Sequence, residues 1–119
     1  MSTVYVPNIN QRKRIPEQAI DAVIRQIVRQ FTPEKIILFG SYARQQPRAE
    51  SDVDLLVIME TSLSEREQAI RILQTITYHF GLDLLVRTPA NLQRRLELGD
   101  PFLREIMNEG IIVYERIDG

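Results

Sequence analysis

Two aspartates separated by one residue, Asp52 and Asp54, follow the pair Gly40-Ser41 with ten residues between. The aspartates open one apolar run, Val53 with Leu55-Leu56-Val57, and the Gly-Ser pair closes another, Ile36-Ile37-Leu38-Phe39. In an extended chain, period two puts Asp52, Asp54, Leu56 and Ile58 on one face and Val53, Leu55, Val57 and Met59 on the other. Both carboxylates then point the same way. They repel each other and are costly to bury unless a cation neutralises them, and Mg²⁺ takes oxygen ligands while keeping positions for phosphate. Five of the six residues after Asp54 are apolar, so its backbone belongs to the interior. Asp52, as the first strand residue, could instead cap the preceding loop. Gly40 lets a backbone approach a ligand closely, and Ser41 opens a turn whose free N–H groups favour anions. The plainer reading of that pair is a turn with an N-cap. A phosphate-holding turn beside a metal-holding strand points to phosphoryl or nucleotidyl transfer.

Asp83 is a third oxygen-ligand candidate. It is the only acid in a run suited to a core strand, Leu82–Arg87, which could lie beside the strand of Asp52 and Asp54. A solvent-facing edge residue, or a partner for Arg87, is the alternative. Three convergent acids would suit two metal ions roughly 3.5 to 4 Å apart, one activating a hydroxyl and one holding a triphosphate and the leaving oxygen. Arg44, Arg48 and Arg87 could surround a substrate, although Arg48 also suits a solvated face. Arg44 reads mainly as support for the Gly-Ser turn through a carboxylate partner, with phosphate contact the lesser reading. Tyr42 could stack on a base or pack in the core. His79, the sole histidine, reads as a helix-terminal residue favoured by the dipole, not as an acid or base.

The elements that must position these residues are legible from periodicity. Residues 1–14 read as a tail or edge strand. Pro16 suits a first helical turn, and Ala19, Ile20, Val23, Ile24, Ile27 and Phe31 follow helical spacing. Lys35–Phe39 is a strand covered on both faces, residues 41–46 suit one or two helical turns limited by Pro47, and residues 52–59 form the second strand. Ser64 with Glu67 makes a capping box for a helix that buries Ile70, Leu73, Ile76, Thr77 and Phe80 and stops at Gly81. Leu82–Arg87 is the third strand. Thr88-Pro89 starts a helix with Leu92 and Leu96 inward, ended by Gly99, and Asp100-Pro101 starts another that uses Phe102, Leu103, Ile106 and Met107. Gly110 then releases a last strand, Ile111–Glu115. Strands alternating with helices predict a single α/β (α+β) domain, a small mixed central sheet with flanking helices.

Composition narrows the function. A chain of 119 residues with 44% apolar content fits one domain with a real core and leaves no room for a large substrate domain. Lys and Arg number 15 against 16 acids, so there is no global positive field and direct nucleic-acid binding is not expected. The absence of Cys excludes disulfides and thiolate chemistry. No run approaches the roughly 20 apolar residues of a membrane span, and the amino end lacks a signal-peptide hydrophobic region, so a cytoplasmic location is expected.

The words Leu38-Phe39-Gly40-Ser41-Tyr42-Ala43-Arg44, Ser51-Asp52-Val53-Asp54-Leu55-Leu56-Val57 and Gly81-Leu82-Asp83-Leu84-Leu85-Val86 resemble a minimal nucleotidyltransferase (MNT) domain of the DNA polymerase beta superfamily. The closing stretch, residues 102–114, is similar to that family's usual carboxyl end, so the resemblance covers nearly the whole chain, with residues 15–117 as the domain. It implies a polymerase beta palm-like fold. It further implies that Asp52 and Asp54 bind two Mg²⁺ ions (Mn²⁺ being the alternative), that Asp83 binds the catalytic metal and helps deprotonate the acceptor, and that Gly40 and Ser41 grip the β and γ phosphates of ATP. One departure stands out: relatives commonly carry Gly after the Ala-Arg pair, where this chain has Gln45. Minimal proteins of this kind resemble the MntA-type antitoxin of HEPN/MNT toxin–antitoxin pairs, some of which transfer AMP from ATP to a tyrosine of the HEPN ribonuclease toxin. The resemblance thus implies an adenylyltransferase whose acceptor is a partner protein. A binder that blocks its partner sterically, and a homodimeric nucleotidyltransferase with a small-molecule acceptor, are the competing accounts.

Overall fold

The computed structural model describes residues 15–47 and 52–117; the amino-terminal stretch read as a tail or edge strand, and Arg48, lie outside them. In chain order the elements are α1 (Glu17–Phe31), β1 (Lys35–Phe39), β2 (Val53–Ile58), α2 (Glu65–Thr75), β3 (Leu82–Arg87), α3 (Pro89–Glu97), α4 (Pro101–Glu109) and β4 (Ile111–Glu115). These strands form one mixed sheet in the order β3-β2-β1-β4. β1 runs antiparallel to β2 and β4, whereas β2 and β3 are parallel and joined by α2. A parallel neighbour requires such a crossover.

The alternation read along β2 separates two cores. Val53, Leu55, Val57 and Met59 pack with Ile20, Val23 and Ile27 of α1 and with Ile72 of α2. Leu56 and Ile58 pack on the other face with Ile37, Leu92, Leu103 and Ile106. Helices therefore cover both faces of a small α/β sheet, as expected. No helix among the described residues is long and apolar enough to cross a membrane.

Two local readings need correction. The Ser64 hydroxyl does cap α2, accepting the Glu67 N–H at 3.0 Å, but the helix ends at Thr75 and its buried residues are Gln68 and Ile72. Ile70 is 43% exposed. Gln68 can occupy the inward line because its carbonyl oxygen accepts the Thr61 hydroxyl at 2.6 Å, which meets part of its polar demand. The early end has a tertiary cause: the Gln26 amide of α1 donates to the Thr77 carbonyl and accepts the Thr77 N–H, both at 2.8 Å. Thr77, Phe80 and the exposed His79 thus lie in a connection, and Gly81 is not a helix stop.

Residues 41–46 form a short hydrogen-bonded turn that ends before Pro47, as read, with Arg44 N–H to Gly40 O at 3.2 Å and Gln46 N–H to Ser41 O at 3.0 Å. Phe102, read as a core residue of α4, is half exposed, while Leu103 and Ile106 carry the burial.

The two isoleucines of α2 give a direct check. Ile72→Ala should cost about 2 to 5 kcal/mol of unfolding free energy, because it opens a cavity in a fully buried site. Ile70→Ala should stay within about 1 kcal/mol. Urea midpoints at constant slope measure both, and equal losses would contradict the orientation of α2.

Candidate active site

The parallel ladder pairs Asp54 directly with Asp83, and the antiparallel ladder pairs Asp54 with Phe39. Opposed residues share a sheet face, so the two carboxylates stand side by side on the α3/α4 face. Asp54 is partly buried and Asp83 is exposed, since β3 is an edge strand. The two alternatives weighed for Asp83 therefore coexist: it is an edge residue and it adjoins the other acid. Arg87 sits at the far end of the same strand, opposite Ile58, with Nη1 donating to its neighbour's carbonyl, Val86 O, at 2.8 Å. It does not line the cleft described below.

This crowding raises the Asp54 pKa from 3.8 to about 6. Burial is the largest cause, followed by the Asp83 charge, a hydrogen bond between the two side chains, and the Asp52 charge. Without a cation, Asp54 holds a proton in mildly acidic solution because its charged form is both desolvated and repelled.

Two glycines make room for two aspartates. Gly40 has φ +74°, and a Cβ there would fall on Asp54 Oδ2 and lie 3.1 Å from Asp54 Cγ. A Cβ on Gly81 would fall on Asp52 Oδ1 and lie 2.8 Å from Asp52 Cγ. Val53 pairs with Leu82, so Asp52 and Gly81 face each other one step beyond the ladder. Gly81 is the residue whose part sequence reasoning missed. Its signal was its place two positions before Asp83, matching the place of Asp52 two positions before Asp54.

A cleft of about 550 Å³ opens over the acid pair and is lined by Gly40, Arg44, Asp54, Asp83, Phe102 and Glu105, among others. Arg44 has two carboxylate partners from α4: its Nη2 lies 2.8 Å from Glu105 Oε1 and its Nε 3.5 Å from Glu109 Oε2. That bridge ties the Gly-Ser turn to the helix forming the opposite wall. Ser41 continues the turn from Gly40 and is half-buried. Tyr42 packs with the other core, and its hydroxyl accepts the Ile15 N–H at 3.0 Å, so packing is its role here.

Among the described residues, no three acids stand at ready metal-holding spacing. The close pair is Asp54 with Asp83, while Asp52 is exposed and rests against Gly81. The donor set still suits a hard divalent cation. Its groups are carboxylate oxygens on one sheet face, crowded so that their charges lack compensation, beside a turn that exposes backbone.

The sequence profile of the family described as polymerase beta, nucleotidyltransferase, matches residues 22–118. The chain belongs to that family. A candidate protein adenylyltransferase of Methanocaldococcus jannaschii is 33% identical over 82 residues, which span 67% of this chain and 78% of that protein. A candidate nucleotidyltransferase of Sulfolobus solfataricus, known from a crystal structure, shares the fold with a TM-score of 0.54 at 18% identity, covering 88% of this chain and 94% of that one. A chain in a crystal structure of a toxin–antitoxin with AMP-PNP aligns with a TM-score of 0.49 at 21% identity, over 79% of this chain and 72% of its own.

For this member of the polymerase beta nucleotidyltransferase family, the structure also shows what Gln45 must do. Its φ is +57°, in the left-handed region where a glycine has no steric penalty. Gln45 therefore bears strain of about 1 kcal/mol in the turn that carries Gly40 and Ser41. Gln45→Gly should change stability by less than about 1 kcal/mol, the relief being offset by a freer unfolded chain, whereas Gln45→Val should lose more than that. Thermal unfolding of the pair measures the difference.

The raised Asp54 pKa sets a sign for pH dependence. Its folded value exceeds the unfolded 3.8, so its stabilising contribution is complete below about pH 4 and is lost as pH rises through about 6. In EDTA, wild type should lose stability relative to Asp54→Asn across that interval, read from urea midpoints at each pH. Parallel profiles for the two proteins would contradict the crowding of Asp54.

Proposed function

We propose that this chain is a metal-dependent nucleotidyltransferase that transfers AMP from ATP to a tyrosine hydroxyl of a partner HEPN-type ribonuclease, and so acts as that toxin's antitoxin. The observation that carries the reading is the in-register pairing of Asp54 with Asp83 beside a glycine turn in an open cleft. Family membership supports the reaction class, and the adenylyltransferase name of the archaeal relative supports AMP as the group moved.

In this reading Asp52 and Asp54 would hold two Mg²⁺ ions, with Mn²⁺ as a substitute, and Asp83 would hold the catalytic one. Bound there, the cations neutralise the triphosphate and make an attacking hydroxyl more acidic. Among the described residues, four acids line the cleft, Asp54, Asp83, Glu105 and Glu109, against the single guanidinium of Arg44, so a bare triphosphate would be repelled. Gly40 and Ser41 hold the β and γ phosphates through backbone N–H groups and the hydroxyl. Arg44 keeps the turn fixed against α4, and the minority part of its role is a contact to phosphate.

Asp83 faces the open edge of the sheet and is the carboxylate that an incoming hydroxyl meets first. It accepts the hydroxyl proton as the oxygen attacks the α phosphorus; the new P–O bond forms, the bond to the β phosphate breaks, and pyrophosphate leaves. The acceptor hydroxyl approaches over the exposed Asp83 at the edge of the sheet. A net charge of −1 favours a protein acceptor over nucleic acid.

Purified chain incubated with labelled ATP, Mg²⁺ and a HEPN partner should pass label to the partner's tyrosine. Asp54→Asn should reduce transfer at least about 100-fold while the fold persists. Inhibition of the partner without transfer would favour steric blockade, and labelling of a small acceptor with no protein partner would favour the third account. Retained metal-dependent transfer by Asp54→Asn would reject the site.

A further inference from the structure

The cleft has an apolar side that the phosphate and metal chemistry does not use. Phe102 stands in the first turn of α4 and remains 49% exposed, while its neighbour Leu103 is fully buried. Burial therefore does not account for a phenylalanine at this position. Its ring meets Phe39 at a centroid separation of 5.9 Å and an interplanar angle of 83°, an edge-to-face contact that fixes its orientation. Phe39 is paired across the ladder with Asp54, so this aromatic wall begins one strand spacing, about 4.8 Å, from the acid pair. Both rings line the cleft that holds Asp54 and Asp83. Among the described residues, the other large exposed apolar side chains, Ile70, Leu98, Ile111, Ile112 and Ile117, lie outside it.

We propose that Phe102, held by Phe39, is the stacking platform for the base of the donor nucleotide. The inference rests on the nucleotidyltransferase reading and adds to it the place of the nucleoside. Strand order decides between the two aromatic groups that could occupy the wall, the base and an acceptor tyrosine. From the open edge inward the order is Asp83 on β3, Asp54 on β2, then Phe39 with Gly40 on β1. The phosphate turn and the aromatic wall are thus on one side of Asp54, and the exposed edge with Asp83 is on the other. A nucleotide gripped at Gly40 has its nucleoside on the Phe102 side, and an acceptor enters over β3. Stacking on a phenylalanine face depends little on which base is present, so Phe102 supplies affinity and leaves base choice to polar groups.

Equilibrium binding in Mg²⁺ separates this proposal from the reading beneath it, with ATP and inorganic tripolyphosphate as probes. The chain contains no Trp, so Phe102→Trp introduces a single indole reporter at the wall. Phe102→Ala should weaken ATP about 5- to 100-fold and leave tripolyphosphate within about twofold. Phe102→Trp should keep ATP affinity, with emission quenched by ATP and not by tripolyphosphate. Unchanged ATP binding by Phe102→Ala, or equal weakening of both probes, overturns the platform while the nucleotide site stands. Wild type that binds neither probe overturns the platform and the nucleotidyltransferase reading together. A loss in Phe102→Ala confined to the KM of the protein acceptor assigns the wall to the acceptor and overturns the proposal.

Discussion

Everything at this site depends on one register: the parallel pairing of β2 with β3 that sets Asp54 opposite Asp83. A shift of one residue would turn Asp83 to the other face and replace it with an apolar neighbour. The register is held by the interior it creates. On β3, Leu84 and Val86 are buried in one core while Leu85 packs against the other. A slip would exchange these sets together, so two carboxylates that repel each other are kept adjacent by the packing of side chains on both sheet faces. The Gln26 clamp on Thr77 serves the same end, because it stops α2 early and delivers the chain to Gly81, where the ladder to Val53 begins.

The cost of crowding is limited by what surrounds it. Gly40 and Gly81 withhold a Cβ where Asp54 and Asp52 place their carboxylates, so the acids are accommodated without displacing backbone. The strain accepted in return is local and lies in the turns. Gln45 at φ +57° and Thr32 at φ +44° both hold left-handed conformations that favour Gly or Asn. Thr32 sits where α1 must end, just before Pro33, with its N–H bonded to Val28 O, a C-cap that compensates part of the penalty. Gln45 sits in the Gly-Ser turn, which the double ion pair of Arg44 fastens to α4. Exposed ion pairs add little to stability, so the value of this bridge is positional: it fixes the width of the cleft.

The described strands, and the helices α1, α3 and α4, were legible because their signals are local: apolar period two or 3.6, Pro at helix starts, Gly after helix ends. The α2 stripe was legible in part: Ile76 is buried and Leu73 and Phe80 pack on the core, whereas Gln68 with its own partner looks like a surface residue, and Gln26 is 51 positions away from the Thr77 it holds. The pairing of Asp83 with Asp54 could be anticipated from the acid's isolation in an apolar run, whereas the resting place of Asp52 against Gly81 could not. Spacing tells which face a side chain takes and says nothing of which backbone it lies on. Arg44 could be given a carboxylate partner in advance, but α4 offers several acids, and only the fold chooses Glu105 and Glu109. Phe102 was counted as core because an aromatic at helical spacing usually is.

The sheet ends on one side at β3, with Asp83 exposed near the start of that strand. An edge strand is a hazard when it is apolar, and Asp83 puts a charge on this one near its start, where a foreign strand would otherwise pair. Under the proposed reaction the same charge is the one that an acceptor hydroxyl approaches, so the exposure of Asp83 would serve the chemistry as well as the edge. An open edge bearing a charged side chain satisfies both demands. On that reading the donor side of the cleft comes from the Gly-Ser turn, Arg44 and α4, and the acceptor side is the exposed edge, so the two substrates would meet at Asp54 and Asp83 from opposite directions.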